Sequence, residues 1–230
     1  MYKKILILLL ISLIFLSGLW AGDAASFVDL GFSPDGTVYI FAQYGIQSRT
    51  LRPWADLYVV NVPNNNFVPG GRVSYVHNSP VAAGQDGSGA LYRLIARNAA
   101  LAERHGVDFL FQSQPLYVSL TGEDGGNGQP IEFRDFEAQA NYKASLVSTV
   151  EGSGDALKSS FYINLERSDS RGTKTYVVGT PQLKRPLVSS YRIIKAMIAP
   201  RDGSLIFVIE MHKQGENGTD IRYMVEAVRL

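Results

Sequence analysis

Apolar and polar side chains alternate along most of this chain, and nearly every alternating run stops at a cluster of Gly, Pro, Asn or Asp. A period of two sends successive side chains to opposite faces of a strand, so the pattern predicts a mainly β protein built from antiparallel hairpins. The first runs are residues 27–32, 37–43 and 55–62. In the third, Leu57, Val59 and Asn61 alternate with Tyr58, Val60 and Val62. Ser33-Pro34-Asp35-Gly36 joins the first two runs. Pro presets φ there, Asp bonds its own backbone, and Gly accepts a positive φ. Residues 44–54 read as a loop, Pro63-Asn64-Asn65-Asn66 as a turn, and 67–77 as a weaker strand broken by Pro69-Gly70-Gly71.

The period changes to 3.6 only once. Residues 89–105 predict the one principal α-helix, with Leu91, Leu94, Ile95, Asn98, Ala99 and Ala102 on a single stripe that is apolar except for Asn98. Ser88 is the expected N-cap and Gly106 the stop. Strands return at 116–121, 131–136, 141–150, 159–167, 173–178, 190–198, 204–211 and 221–228. Their spacing through the middle suggests an antiparallel meander, and the chain closes in hairpins.

The N-terminus follows a different pattern. Lys3 and Lys4 precede an apolar run over residues 5–16, broken only by Ser12, and the small residues Gly18, Ala21, Gly22 and Ala24 follow. These are the three parts of a secretory signal. Gly22 and Ala24 suit the −3 and −1 positions, so cleavage is expected after Ala24, with Ala21 as the alternative. The competing reading is an uncleaved anchor, because residues 5–21 just reach the ~17 needed to cross a bilayer. No later run is long enough for a second span. The expected organisation is a signal peptide at 1–24 and a single β-rich exported domain at 25–230, periplasmic or secreted.

Composition narrows the chemistry. The chain is 46% hydrophobic and 19% charged, which is globular rather than disordered. Its net charge of +1 includes Lys3 and Lys4, so the processed protein is near neutral and has no overall field for nucleic acid or an anionic membrane. The absence of cysteine excludes disulfides, thiolate nucleophiles, Fe–S clusters, Cys-type zinc sites and a lipidated cysteine.

A weak repeat links the two ends. Phe32-Ser33-Pro34-Asp35-Gly36-Thr37-Val38-Tyr39-Ile40-Phe41 resembles Ile198-Ala199-Pro200-Arg201-Asp202-Gly203-Ser204-Leu205-Ile206-Phe207 with one inserted residue. Residues 41–62 then match 207–228 in length. Strand, turn, strand, polar loop, strand is the pattern of a WD40-like (TolB-type) propeller blade, and two hairpins of generic turn chemistry are the competing reading. Two copies fall short of a full propeller.

Leu30-Gly31-Phe32-Ser33-Pro34-Asp35-Gly36, Phe41-Ala42-Gln43-Tyr44-Gly45-Ile46-Gln47, Ala55-Asp56-Leu57-Tyr58-Val59-Val60-Asn61-Val62 and Phe67-Val68-Pro69-Gly70 carry a family resemblance. Together they resemble the N-terminal signature of a family of bacterial predicted secreted proteins, domain of unknown function 2259. The resemblance implies an exported envelope protein and no particular activity. The chain departs from it at Ser48-Arg49-Thr50-Leu51-Arg52-Pro53-Trp54, where the family has a Gly-rich loop with an acidic residue.

Candidate chemistry is sparse. His77, His105 and His212 are far apart and show no ligand spacing, and His105 suits the negative end of the helix dipole. Gly84-Gln85-Asp86-Gly87-Ser88-Gly89 runs into a helix N-terminus, but it lacks a P-loop lysine and reads as a capping loop. Asp108, Glu123, Asp124, Glu132 and Asp135 are candidates for a glycosidase-like carboxylate pair. No catalytic, metal-binding or cofactor-binding set emerges. Tyr44, Gln47, Arg49, Arg52 and Trp54 combine recognition residues in one loop and are the expected partner-binding site. The alternative is that Trp54 caps the core while the arginines are solvated. The expected function is a non-enzymatic binding or interaction module of the cell envelope, taking an unknown protein or envelope component. It would bind no nucleic acid and keep no stable membrane span after signal removal. The alternatives are a hydrolase of envelope polymer using paired carboxylates, and a structural accessory subunit of an envelope complex.

Overall fold

A computed structural model describes residues 22–82, 84–120, 124–216 and 218–230. The basic and apolar stretch through Ala21, and the candidate Glu123, lie outside the described residues. Strands are numbered in chain order. β1 (Ser26–Phe32), β2 (Val38–Ile46), β3 (Pro53–Asn61) and β4 (Asn66–Val76) form a first antiparallel sheet in sequence order. Helices α1 (Ser88–Arg97) and α2 (Ala99–Arg104) follow, then β5 (Gln114–Val118). β6 (Pro130–Asp135), β7 (Ala140–Glu151), β8 (Lys158–Asp169), β9 (Gly172–Val178) and the two-residue β10 (Arg185–Pro186) make an outer sheet, the predicted meander. β11 (Val188–Ile198), β12 (Leu205–Gly215) and β13 (Gly218–Val228) return to join β5 in a middle sheet of order β13-β12-β11-β5.

The layers stack as helix, first sheet, middle sheet and outer sheet, because both faces of the first and middle sheets and one face of the outer sheet carry apolar side chains that must be covered. Leu30, Ile40, Ala42, Leu57 and Val59 pack on Ala90, Leu91 and Leu94 of α1. Tyr39, Phe41 and Val60, on the opposite face of the first sheet, meet Ile206, Val208 and Val225 of the middle sheet. Leu205, Phe207 and Ile209 alternate with these and face Leu146, Phe161, Ile163 and Leu165 of the outer sheet. The middle sheet is therefore apolar on both faces. The outer sheet alternates as expected of a half-solvated one, and on its far side Glu132 pairs with Lys143.

Several boundaries differ from the sequence reading. The predicted helix over 89–105 breaks at Asn98, whose φ of −120° is not helical and whose Nδ2 donates to Leu94 O at 2.8 Å. Ser88 is the first helical residue rather than the cap, and its amide donates to Asp86 Oδ1 at 3.1 Å. The interruption at Pro69-Gly70-Gly71 is a register shift within one continuous β4, with Tyr58 opposite Arg72 but Val60 opposite Phe67. The predicted loop at 44–54 shrinks because β2 and β3 pair as far as Ile46 and Pro53. β5 and β6, which follow one another in the chain, belong to different sheets: β5 lies beside β11 and β6 beside β7.

The two repeat segments lie in neighbouring sheets that pack face to face. Their first turns match: Ser33 N donates to Val38 O and Ala199 N to Ser204 O, each at 2.8 Å. They stack in the same sense, since Tyr39 and Phe41 face the middle sheet as Leu205 and Phe207 face the outer one. The third strands are displaced, because Tyr39 pairs with Val60 whereas Leu205 pairs with Val228. The described residues form three open sheets and no ring of blades.

Candidate binding groove

β13 is an edge strand, so its outward amides need partners from outside its own sheet. Three of them find one. Ile221 N donates to Asp23 O at 2.8 Å, where Ala24 forms a parallel bridge with Ile221. Tyr223 N donates to Gln43 Oε1 at 2.8 Å, and Ala227 N to Asn65 Oδ1 at 2.7 Å. Backbone segment, glutamine and asparagine thus stand in for a missing neighbour strand. By alternation the Val225 amide points the same way.

A groove of about 790 Å³ runs along this edge. One wall is β3 and β4, with Asp56, Tyr58, Phe67 and Arg72. The other wall is formed by β10 and the segment before it, including Leu183 and Arg185. Lys213, Met224 and Glu226 of the middle sheet line its floor. Glu226 is nearly covered: Arg185 lies 3.3 Å away and Asn65 Nδ2 donates at 2.5 Å. Burial raises its carboxyl above the ordinary 4.5, against the pull of Asn65 and Arg185. Burial, then the Asp56 charge, pushes the Tyr58 hydroxyl up to about 12, so it stays a neutral donor. Arg185 also stacks on Phe161 at 4.8 Å. Arg72 stacks on Phe67 at 5.1 Å, placing a cation and an aromatic ring together on the rim.

The five loop residues named from sequence separate. Tyr44 packs on the helix-facing side of the first sheet. Trp54 is buried on the other face, with the Arg222 guanidinium 4.3 Å over its ring. Arg52 Nε donates to His77 O at 2.6 Å. Arg49 pairs with Glu216 at 2.9 Å, both exposed, and shares a shallow recess with Gln47, Asp23 and Asp220. The described acidic candidates are also dispersed and bound up locally. Asp135 accepts from Glu137 and Ala138 amides, Asp124 from Tyr117 and Ser119 hydroxyls, and Asp108 from the Leu110 amide. At the helix start the Asp86 carboxylate occupies the place an anion would take. His212 bonds Glu210 at 2.8 Å, and Tyr75 bonds His77 at 2.9 Å. No group of three metal-ligating side chains occurs among the described residues. The groove residues were missed because they come from strands far apart in the chain, β3, β4, β10, β12 and β13. Their one local signal is the alternation of Arg222, Met224 and Glu226 with Tyr223, Val225 and Ala227.

This architecture defines a mainly β protein of three stacked antiparallel sheets with a groove along one exposed edge. The chain belongs to the family described as predicted secreted protein (DUF2259), which it matches over residues 40–229. Secreted or periplasmic is accordingly its location. No curated protein and no solved structure matches it. Among the described residues no helix is long and apolar enough to cross a membrane.

Proposed function

We propose that this protein is a non-enzymatic binding module of the bacterial cell envelope, and that the groove along β13 receives an extended, acidic segment of a protein or envelope polymer. One observation carries the reading: four cations, Arg72, Arg185, Lys213 and Arg222, line the groove against the two carboxylates Asp56 and Glu226. Glu226 matches Arg185, and Asp23 and Asp220 match Arg222. Arg72 and Lys213 enter no ion pair among the described residues, while the remaining lining carboxylate, Asp56, accepts from Gln43 and Tyr58. The Val225 amide adds a donor for an extended backbone or polymer oxygen, in the manner of strand addition. The test is a titration of isotope-labelled protein with polyglutamate, followed by NMR. Amide shifts are expected at Phe67, Arg72 and Val225, and Arg72→Glu with Lys213→Glu should weaken binding about tenfold or more. Shifts confined to other surfaces, or none, would refute the groove.

A second reading has one observation in its favour. Asp56 and Glu226 share the groove, and a carboxyl raised by burial suits a general acid. The engagement of both Glu226 oxygens favours binding over hydrolysis. Glu226→Gln separates the two readings: it abolishes polymer cleavage in a hydrolase and leaves polyglutamate affinity largely intact in a binding module.

A further inference from the structure

Residues 22–25 are built into the fold. Asp23 N donates to Asp220 Oδ1 at 2.8 Å, and Asp23 O accepts from Ile221 N at 2.8 Å and Arg222 Nη1 at 3.0 Å. The Asp23 carboxylate accepts from Ser48 N and lies 3.3 Å from Arg222 Nη2. Asp23 and Ala25 are buried while Ala24 between them is exposed, the alternation of a strand seated on a neighbour. Gly22 lies so close that a Cβ there would stand 2.2 Å from Thr219 O. A cut after Ala24 would discard Asp23, the buried counter-ion of Arg222, and uncover the Ile221 amide on the edge of β13. A cut after Ala21 discards none of these contacts.

We propose that the exported protein is processed between Ala21 and Gly22, and that residues 22–25 are the first strap of the mature fold rather than the end of the signal. Ala21 supplies the small side chain that a signal peptidase needs immediately before the bond. Water is the co-reactant: the C–N bond breaks, its hydroxyl goes to the Ala21 carbonyl carbon and its proton to the Gly22 amine. The new ammonium group forms next to the Asp23 and Asp220 carboxylates, which favour a positive charge there.

The full-length chain expressed in a bacterium and recovered from the periplasm or medium tests this directly. N-terminal sequencing and intact mass should report a chain starting at Gly22. Ala24→Leu places a bulky residue at an exposed strap position and should be processed as the parent is, whereas Ala21→Leu should accumulate as precursor. An N-terminus at Ala25, an uncut product, or a block by Ala24→Leu would each overturn the assignment. Protein beginning at Ala25 should also melt several degrees below protein beginning at Gly22. Equal melting temperatures would remove the physical ground for the proposal.

Discussion

Two glycines in equivalent turns separate backbone strain from crowding. Gly36 and Gly203 have φ of 75° and 74°, both in the left-handed region. A Cβ at Gly203 meets nothing within 4 Å, while one at Gly36 would lie 1.8 Å from Pro200 O, because the first turn abuts the second. Gly203→Ala should therefore cost only the conformational penalty of about 1–2 kcal/mol. Gly36→Ala must cost clearly more, and denaturant unfolding of both variants measures the gap. Equal losses would mean that the two turns do not touch. Arg185 and Glu226 give a second residue-scale test. The folded Glu226 carboxyl is raised above its unfolded value, so its contribution to stability is fully present below about 4.5 and fades as pH rises through the folded value. Arg185→Ala leaves that carboxylate buried without its cation and should cost about 3–5 kcal/mol at neutral pH. The loss should shrink in acid, where Glu226 takes a proton. A residue should remain from the lost stacking on Phe161, and a loss that does not change with pH would contradict the pairing.

Among the elements, β13 decides most about this molecule. Its edge is covered by side chains and by the N-terminal strap, so removing one cover should loosen one amide. Gln43→Leu leaves the Tyr223 N–H buried without an acceptor, at about 1–3 kcal/mol. Hydrogen exchange should speed up at Tyr223 and stay unchanged at Ala227, which relies on Asn65. Acceleration spread evenly over the strand would argue against individual covers. Strand existence was readable because alternation is local: residues 141–150 and 159–167 lie inside β7 and β8. Partnership was not readable, because β5 joins β11 across a long separation that no short window contains. The helix break at Asn98 left one trace, as the single polar residue on an apolar stripe. Trp54 was visible as a loop-flanking aromatic, but its burial under Arg222 depends on a strand that arrives at the other end of the chain.

At the scale of the whole molecule, the middle sheet supplies one face to each of two cores, so the first and outer sheets are coupled through it. The same arrangement makes the groove, since its walls come from the two flanking sheets and its floor from the sheet between them. Neither repeat segment alone contains a site, which is why the constellation was not legible as a motif. The groove proposed to receive a partner lies at this junction of the three sheets. The most direct measurement is site-specific photo-crosslinking in living cells from Phe67 on the groove rim, compared with the exposed Phe136 at the end of the outer sheet. A discrete adduct is expected from position 67 that disappears when Arg72→Glu and Lys213→Glu are combined, and no such adduct from position 136. An adduct that forms equally from both positions, or one that survives the charge reversal, would contradict the proposal.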